Sequence, residues 1–135
     1  MSTTTINQEL FDKGLATRRE VLGDDYVQRS LDGADDFSMD MQELVTKVCW
    51  GDVWNRPGLE RTERSLINLA MISALNRPHE LKVHLRGAIR NGVTKDQIKE
   101  VFLQVAIYCG VPAALESFRL AREVFKEMEA EAWAP

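Results

Sequence analysis

Cysteine is nearly missing from this chain: Cys49 and Cys109 are the only two, far apart and without C-x-x-C spacing. That excludes a small disulfide-framed domain and leaves no cysteine with a resolving partner for dithiol redox work. The N-terminal MSTTTINQELFDKG lacks the charged-then-apolar pattern of a signal peptide, so both cysteines are expected to be reduced, buried thiols in a cytoplasmic protein. Long hydrophobic runs are lacking too. The longest, Leu66–Leu75, is stopped by Asn76–Arg77 well short of the ~18 residues that span a bilayer. No segment alternates with the period of a strand, no repeat or low-complexity tract is present, and no glycine-rich loop could cradle a phosphate. Histidine occurs twice, at 79 and 84. Five residues along a helix turn the chain about 140° beyond a full turn, so the two cannot reach one ion. Glu80 and His84 could supply two ligands, but no third is evident, and no metal site is expected. Nothing resembles the strained turn of a nucleophilic serine around Ser65 or Ser73.

What remains is an ordinary soluble composition, 44% hydrophobic and 28% charged over 135 residues, enough for one domain spanning 1–135 with a core of its own. The net charge of −4 is unevenly spread: residues 1–55 carry −6, residues 56–90 carry +4 and residues 91–135 carry −2. A basic centre in an acidic chain suits a small anionic ligand. It does not suit a nucleic acid, which calls for an extended basic face. The same arginines would also serve as a solvated helix face.

Helical spacing and caps recur throughout. Residues 6–22 place Ile6, Leu10, Phe11, Leu15 and Val21–Leu22 on a helix that Gly14 weakens and Gly23 ends. Asp24 or Asp25 can cap a short helix over Tyr26–Leu31, and GADDF is a turn with an Asp cap. Residues 38–54 form the next helix, with Leu44, Val45, Val48, Cys49 and Val53 as its expected core contacts. Glu43, Lys47, Trp50 and Trp54 then share a second face that could wall a pocket, form a subunit interface or join the core. After NRPGLERTERS, Thr62 is the expected N-cap of a helix that is apolar on nearly every side and therefore expected to be buried. Asn76 reads as its C-terminal cap and Pro78 as the first turn of the next helix. Thr94 and Gln97 spell a capping box for a helix carrying Ile98, Val101, Phe102, Val105 and Ile107 and ending at Gly110. Pro112 opens the last helix, with Leu115, Phe118, Ala121–Arg122 and Phe125, which is expected to fray into EMEAEAWAP. The fold class is all-α: a compact orthogonal bundle of about six or seven helices.

The segment from Leu66 to Gly92 holds the candidate chemistry. Leu81, Leu85 and Ala88 form a core-facing stripe with His84 on it and Glu80 one turn earlier, flanked by Arg77, Lys82 and Arg86. A histidine there is either a satisfied core residue or an acid–base group with Glu80 beside it. Glu80 is equally explained as an acid near a helix N-terminus.

CWGDVWNRPGL, RSLINLAMISALNRPHELKVHLRGAIRNGVT and QVAIYCGVPAALESFRLA together resemble the carboxymuconolactone decarboxylase family, and the resemblance runs from FDKGLATRREVLG to REVF. The wider superfamily is alkylhydroperoxidase-D-like, with a Glu, then C-x-x-C, then a His four residues on. Here that His falls on His84, but Glu80 and Arg77 stand at the two cysteine positions. The resemblance thus implies the decarboxylase branch and argues against peroxidase activity, while leaving the role of Glu80 open.

The implied reaction is cofactor-independent loss of CO₂ from 4-carboxymuconolactone to give 3-oxoadipate enol-lactone, in protocatechuate catabolism by the β-ketoadipate pathway. The departing carboxylate is vinylogous to the lactone carbonyl, so the ring accepts the electrons and no cofactor or metal is required. On this reading His84 is the general acid, supported in its protonated form by Glu80. Arg77 and Arg86 anchor substrate carboxylates, and Trp50 and Trp54, with Glu43 beside them, wall the pocket. The implied partners are the lactone and further copies of the chain, as a homo-oligomer expected to be a hexamer, with no nucleic acid or membrane. The alternative is a degenerate superfamily member: a peroxidase-related protein without the thiols, or a non-enzymatic assembly protein.

Overall fold

A computed structural model describes residues 7–132. Among them the chain is all-α, with seven α-helices, one π-helix, one 3₁₀ turn and no strand. It divides into two compact units, Met1–Glu60 and Arg61–Pro135.

In the first unit α1 (Gln8–Leu22) starts where the Asn7 side chain accepts the Leu10 N–H at 3.1 Å and ends at Gly23, φ 91°. Ile6, expected on this helix, lies outside the described residues. Gly23 is itself the N-cap of α2 (Asp24–Asp32), with no side-chain capping bond, so neither Asp24 nor Asp25 plays that role. In the next turn the Asp35 carboxylate accepts the N–H groups of both Phe37 and Ser38 at 3.1 Å.

The spacing predicts one α-helix over 38–54, but the backbone is α only over α3 (Met39–Leu44). It then runs as a π-helix over Val45–Asp52 and a 3₁₀ turn over Val53–Asn55. The wider i→i+5 turn rotates each later residue away from its 3.6-residue position. The expected core face is therefore the wrong one: Leu44, Val48 and Val53 are 52%, 47% and 42% exposed, while Thr46, Trp50 and Trp54 are buried. The two indoles stack with centroids 4.8 Å apart. Glycine lets α1 approach this segment backbone to backbone. A Cβ at Gly14 would fall 1.8 Å from the Thr46 carbonyl oxygen, and one at Gly51 would fall 2.6 Å from that of Leu10. Asn55 closes the segment, donating to the Trp50 and Gly51 carbonyls at 2.8 and 3.2 Å and accepting from the Thr17 hydroxyl at 3.1 Å.

In the second unit α4 (Arg61–Leu75) already includes Thr62, the expected cap. Its end is as expected: Asn76 takes φ 55°, with its N–H to the Ser73 carbonyl and the Arg77 N–H to that of Ile72, a Schellman arrangement. Pro78 opens α5 (Pro78–Arg90), and the Thr94–Gln97 capping box opens α6 (Lys95–Cys109). Gly110, φ 108°, separates it from α7 (Val111–Ala132). The core is built on Leu69, Leu81, Leu85, Ala88, Ile98, Phe102, Leu120 and Val124.

Three expectations fail here. Helix α4 is not buried all round: Ser65, Leu69 and Ser73 face inward, while Ile67, Met71 and Leu75 are 43%, 49% and 64% exposed. Ile107 and Leu115 are exposed, as is Cys109, and the tail does not fray at EMEAEA. Glu127 there accepts from Lys82 at 2.9 Å and from Arg86 at 2.8 Å, and Glu131 from Arg86 at 3.0 Å, so charge pairs fasten the end of α7 to α5.

Candidate active site

Helix α5 positions four of the seven candidate residues, all in the second unit. His84 is half-buried between the buried Leu81 and Leu85, as its place on the stripe predicts. Burial pushes its pKa below the ordinary 6.5, and Glu80, one turn earlier and exposed, opposes that only in part. The expected support by Glu80 is therefore present but outweighed, and the imidazole of the free protein is neutral near pH 7.

Arg77 and Arg86 have different surroundings. Arg86 directs its fork at Glu127 and Glu131, and those carboxylates hold the guanidinium pKa above its usual value. Its donors are thus occupied by its own chain, where the sequence suggested a substrate carboxylate. Arg77 is exposed at the N-cap of α5 and its Nη1 donates to the Leu75 carbonyl at 3.2 Å. It borders a pocket of about 230 Å³ between the end of α4 and the starts of α5 and α7. The buried hydroxyls of Ser73 and Ser117, 2.9 Å apart and hydrogen-bonded to each other, line the same pocket.

The other three candidates belong to the first unit. Glu43 is half-buried near the end of α3, and Trp50 and Trp54 are the stacked, buried pair of the π-helical segment and its 3₁₀ turn. Cys49 immediately precedes Trp50. Burial raises its thiol pKa, with Arg18 and a hydrogen bond donated by the Trp54 indole pulling the other way, so the thiol stays protonated and is a poor nucleophile. Among the described residues no group of three or more His, Cys, Asp or Glu side chains is disposed to hold a metal ion.

Arg18 is the residue that sequence reasoning missed. It is 5% exposed, and its Nη1 donates to Gln42 Oε1 at 2.9 Å and to Thr46 Oγ1 at 3.3 Å. Its Nε is buried and has no hydrogen-bond partner among the described residues. Burial lowers its pKa, offset in part by Tyr26 and Cys49, and no carboxylate pairs with it among the described residues. A signal for it existed: Arg18 shares a helical stripe with buried Gly14 and Val21, whereas the Arg-Arg-Glu run reads as a solvated face.

Comparison with known proteins adds a relationship to this geometry. Residues 39–123 match the carboxymuconolactone decarboxylase family. A 4-carboxymuconolactone decarboxylase of Acinetobacter baylyi is 44% identical over 90% of this chain and 91% of its own length. The nitrosuccinic acid decarboxylase npaB of Metarhizium robertsii is 42% identical over 95% of this chain and 92% of its own. A 4-carboxymuconolactone decarboxylase of Pseudomonas putida is 40% identical over 33% of this chain and 94% of its own.

Proposed function

The chain belongs to the carboxymuconolactone decarboxylase family, and from that premise we propose that it converts 4-carboxymuconolactone to 3-oxoadipate enol-lactone. The observation that carries this reading is the 44% identity with the Acinetobacter decarboxylase over nearly the full length of both chains. In the reaction the bond between the ring carbon and the departing carboxylate breaks. CO₂ leaves, and the electron pair moves through the ring to the lactone carbonyl oxygen. One proton then returns to carbon. His84 is the group that delivers it: a half-buried imidazole, neutral in the free protein, takes up a proton when a dianionic substrate adds its negative field, and holds that proton away from bulk water. Arg77, exposed beside a pocket of the second unit that His84 does not line, is the residue we assign to hold the carboxylate that remains. Glu80 adds a weaker negative field at His84.

A second reading is supported by the Metarhizium relative. In nitrosuccinate the departing carboxylate sits on the carbon bearing the nitro group, which accepts the electron pair as a nitronate before protonation. Both substrates are dicarboxylates that carry their own electron sink, so the same proton donor and anchor would serve either. The test is direct. Purified protein with no added cofactor should abolish the ultraviolet absorbance of the lactone, and nitrosuccinate offered in parallel should be turned over far more slowly. Turnover of nitrosuccinate alone would establish the second reading, and turnover of neither would leave the assembly-protein alternative.

A further inference from the structure

The guanidinium of Arg18 is buried in the first unit, and among the described residues its hydrogen-bond partners are neutral oxygens. Burying a cation this way costs several kcal/mol unless an anion compensates it. Its hydrogen bonds to Gln42 and Thr46 both leave from Nη1. They orient the fork and leave Nε without a partner among the described residues, and Nε with Nη2 forms the edge whose two parallel N–H bonds match the two oxygens of a carboxylate. The surroundings are built to keep this orientation. Thr46 is fully buried and lies in the π-helix, a rare backbone form that is frequent at functional sites. The backbone contact at Gly14 sets α1 against Thr46 one turn from Arg18. Gln42, Tyr26 and Cys49, which border the guanidinium by hydrogen bond or electrostatic contact, are each only half-buried.

We propose that Arg18, oriented by Gln42 and Thr46, is a carboxylate-binding group, and that the first unit carries a site for a small organic acid at the Nε–Nη2 edge. The proposal stands on the geometry of this unit and not on the decarboxylase reading. The ligand class, a small mono- or dicarboxylate, does include the substrates and products named above.

The experiment is calorimetric titration of the full chain with succinate, and with inorganic phosphate as the second arm. Wild type should bind succinate and bind phosphate far more weakly, because a tetrahedral anion fits the planar edge less well. Arg18→Met should keep its helix content and melt no lower than wild type, having lost an uncompensated cation, while binding succinate about 30-fold or more weakly. Arg18→Lys should fall between. Three results would overturn the proposal: no succinate binding by wild type, equal binding by a folded Arg18→Met, or equal affinity for phosphate, which would make the site a general anion hole. Should Arg18→Met fail to fold, the Nε–H resonance of Arg18 in wild type, assigned with Arg18→Lys, must move as succinate is added, and an unmoved resonance would reject the idea. Turnover of the lactone is measured separately, so that loss of that activity and loss of this site are told apart.

Discussion

Replacing Gly14 by alanine puts one methyl group into a contact that has no room for it. The new Cβ would lie 1.8 Å from the Thr46 carbonyl oxygen, 2.8 Å from the Gly51 nitrogen and 2.9 Å from the Thr46 carbonyl carbon. All three are backbone atoms, so no side chain can swing aside, and α1 must withdraw from the π-helix by more than an ångström. That movement strains the Arg18 bonds to Gln42 and Thr46 and the Thr17–Asn55 bond, which all bridge the same contact. Overpacking against adaptable side chains costs about 1–3 kcal/mol; against fixed backbone, roughly 3 kcal/mol or more is expected. For a chain of this size that corresponds to a melting temperature lower by roughly 10 °C. Thermal melts followed by circular dichroism measure it, with Gly58→Ala as the control, since a Cβ at Gly58 meets nothing within 4 Å. The control should melt within a degree or two of wild type. If Gly14→Ala does the same, the close approach of α1 to Thr46 is refuted, and with it the support claimed for Arg18.

His84→Gln should fold and lose on the order of 10²–10⁴ in kcat, and full turnover in the folded variant would remove His84 from the reaction. In wild type kcat/KM should fall as pH rises through a His84 pKa below 6.5, and Glu80→Gln should move that fall to lower pH by removing an anion that raises the pKa. The stability sign is opposite: the unfolded imidazole takes up its proton first, so His84 lowers the melting temperature as pH drops below about 6.5, and His84→Gln should flatten that slope. Arg77→Met should raise KM about tenfold, as loss of one exposed charge-assisted pair implies. Arg86→Met should leave KM nearly unchanged and cost about 1 kcal/mol of stability, because Glu127 and Glu131, its partners, are 41% and 60% exposed; the reverse pattern in steady-state kinetics would return Arg86 to the substrate. The stripe Ile67, Met71 and Leu75 should be covered by a second copy, so light scattering at micromolar concentration should find an oligomer, and a monomer would contradict this.

The helix ends were legible because they depend on local chemistry. Thr94 and Gln97 satisfy each other's backbone across three residues, Pro78 needs no N–H at the first turn, and Asn76 tolerates the left-handed conformation, whatever the rest of the chain does. The α5 stripe was legible for a related reason, since a regular helix keeps its 3.6-residue period from Leu81 to Ala88. Past Leu44 that period fails. The π-helix over Val45–Asp52 exchanges the expected face for the tryptophan face, and no single residue type announces it. Helix α4 misled in another way, because an apolar run of residues does not say whether each side of the helix meets its own chain. Arg86 and Arg18 look alike in sequence, yet one meets two carboxylates of α7 and the other meets none among the described residues, a difference made wholly by tertiary placement.

The stacked pair Trp50–Trp54 also gives the protein an optical signature. At 4.8 Å and 22° between ring planes the two indole transitions couple, so the folded first unit should show a split circular dichroism band that neither ring produces alone. The third tryptophan, Trp133, lies outside the described residues. The split band reports on the Trp50–Trp54 pair, against the helical background of the whole chain. Loss of the band while far-ultraviolet helicity persists would mark opening around Arg18 and Thr46 before the second unit melts.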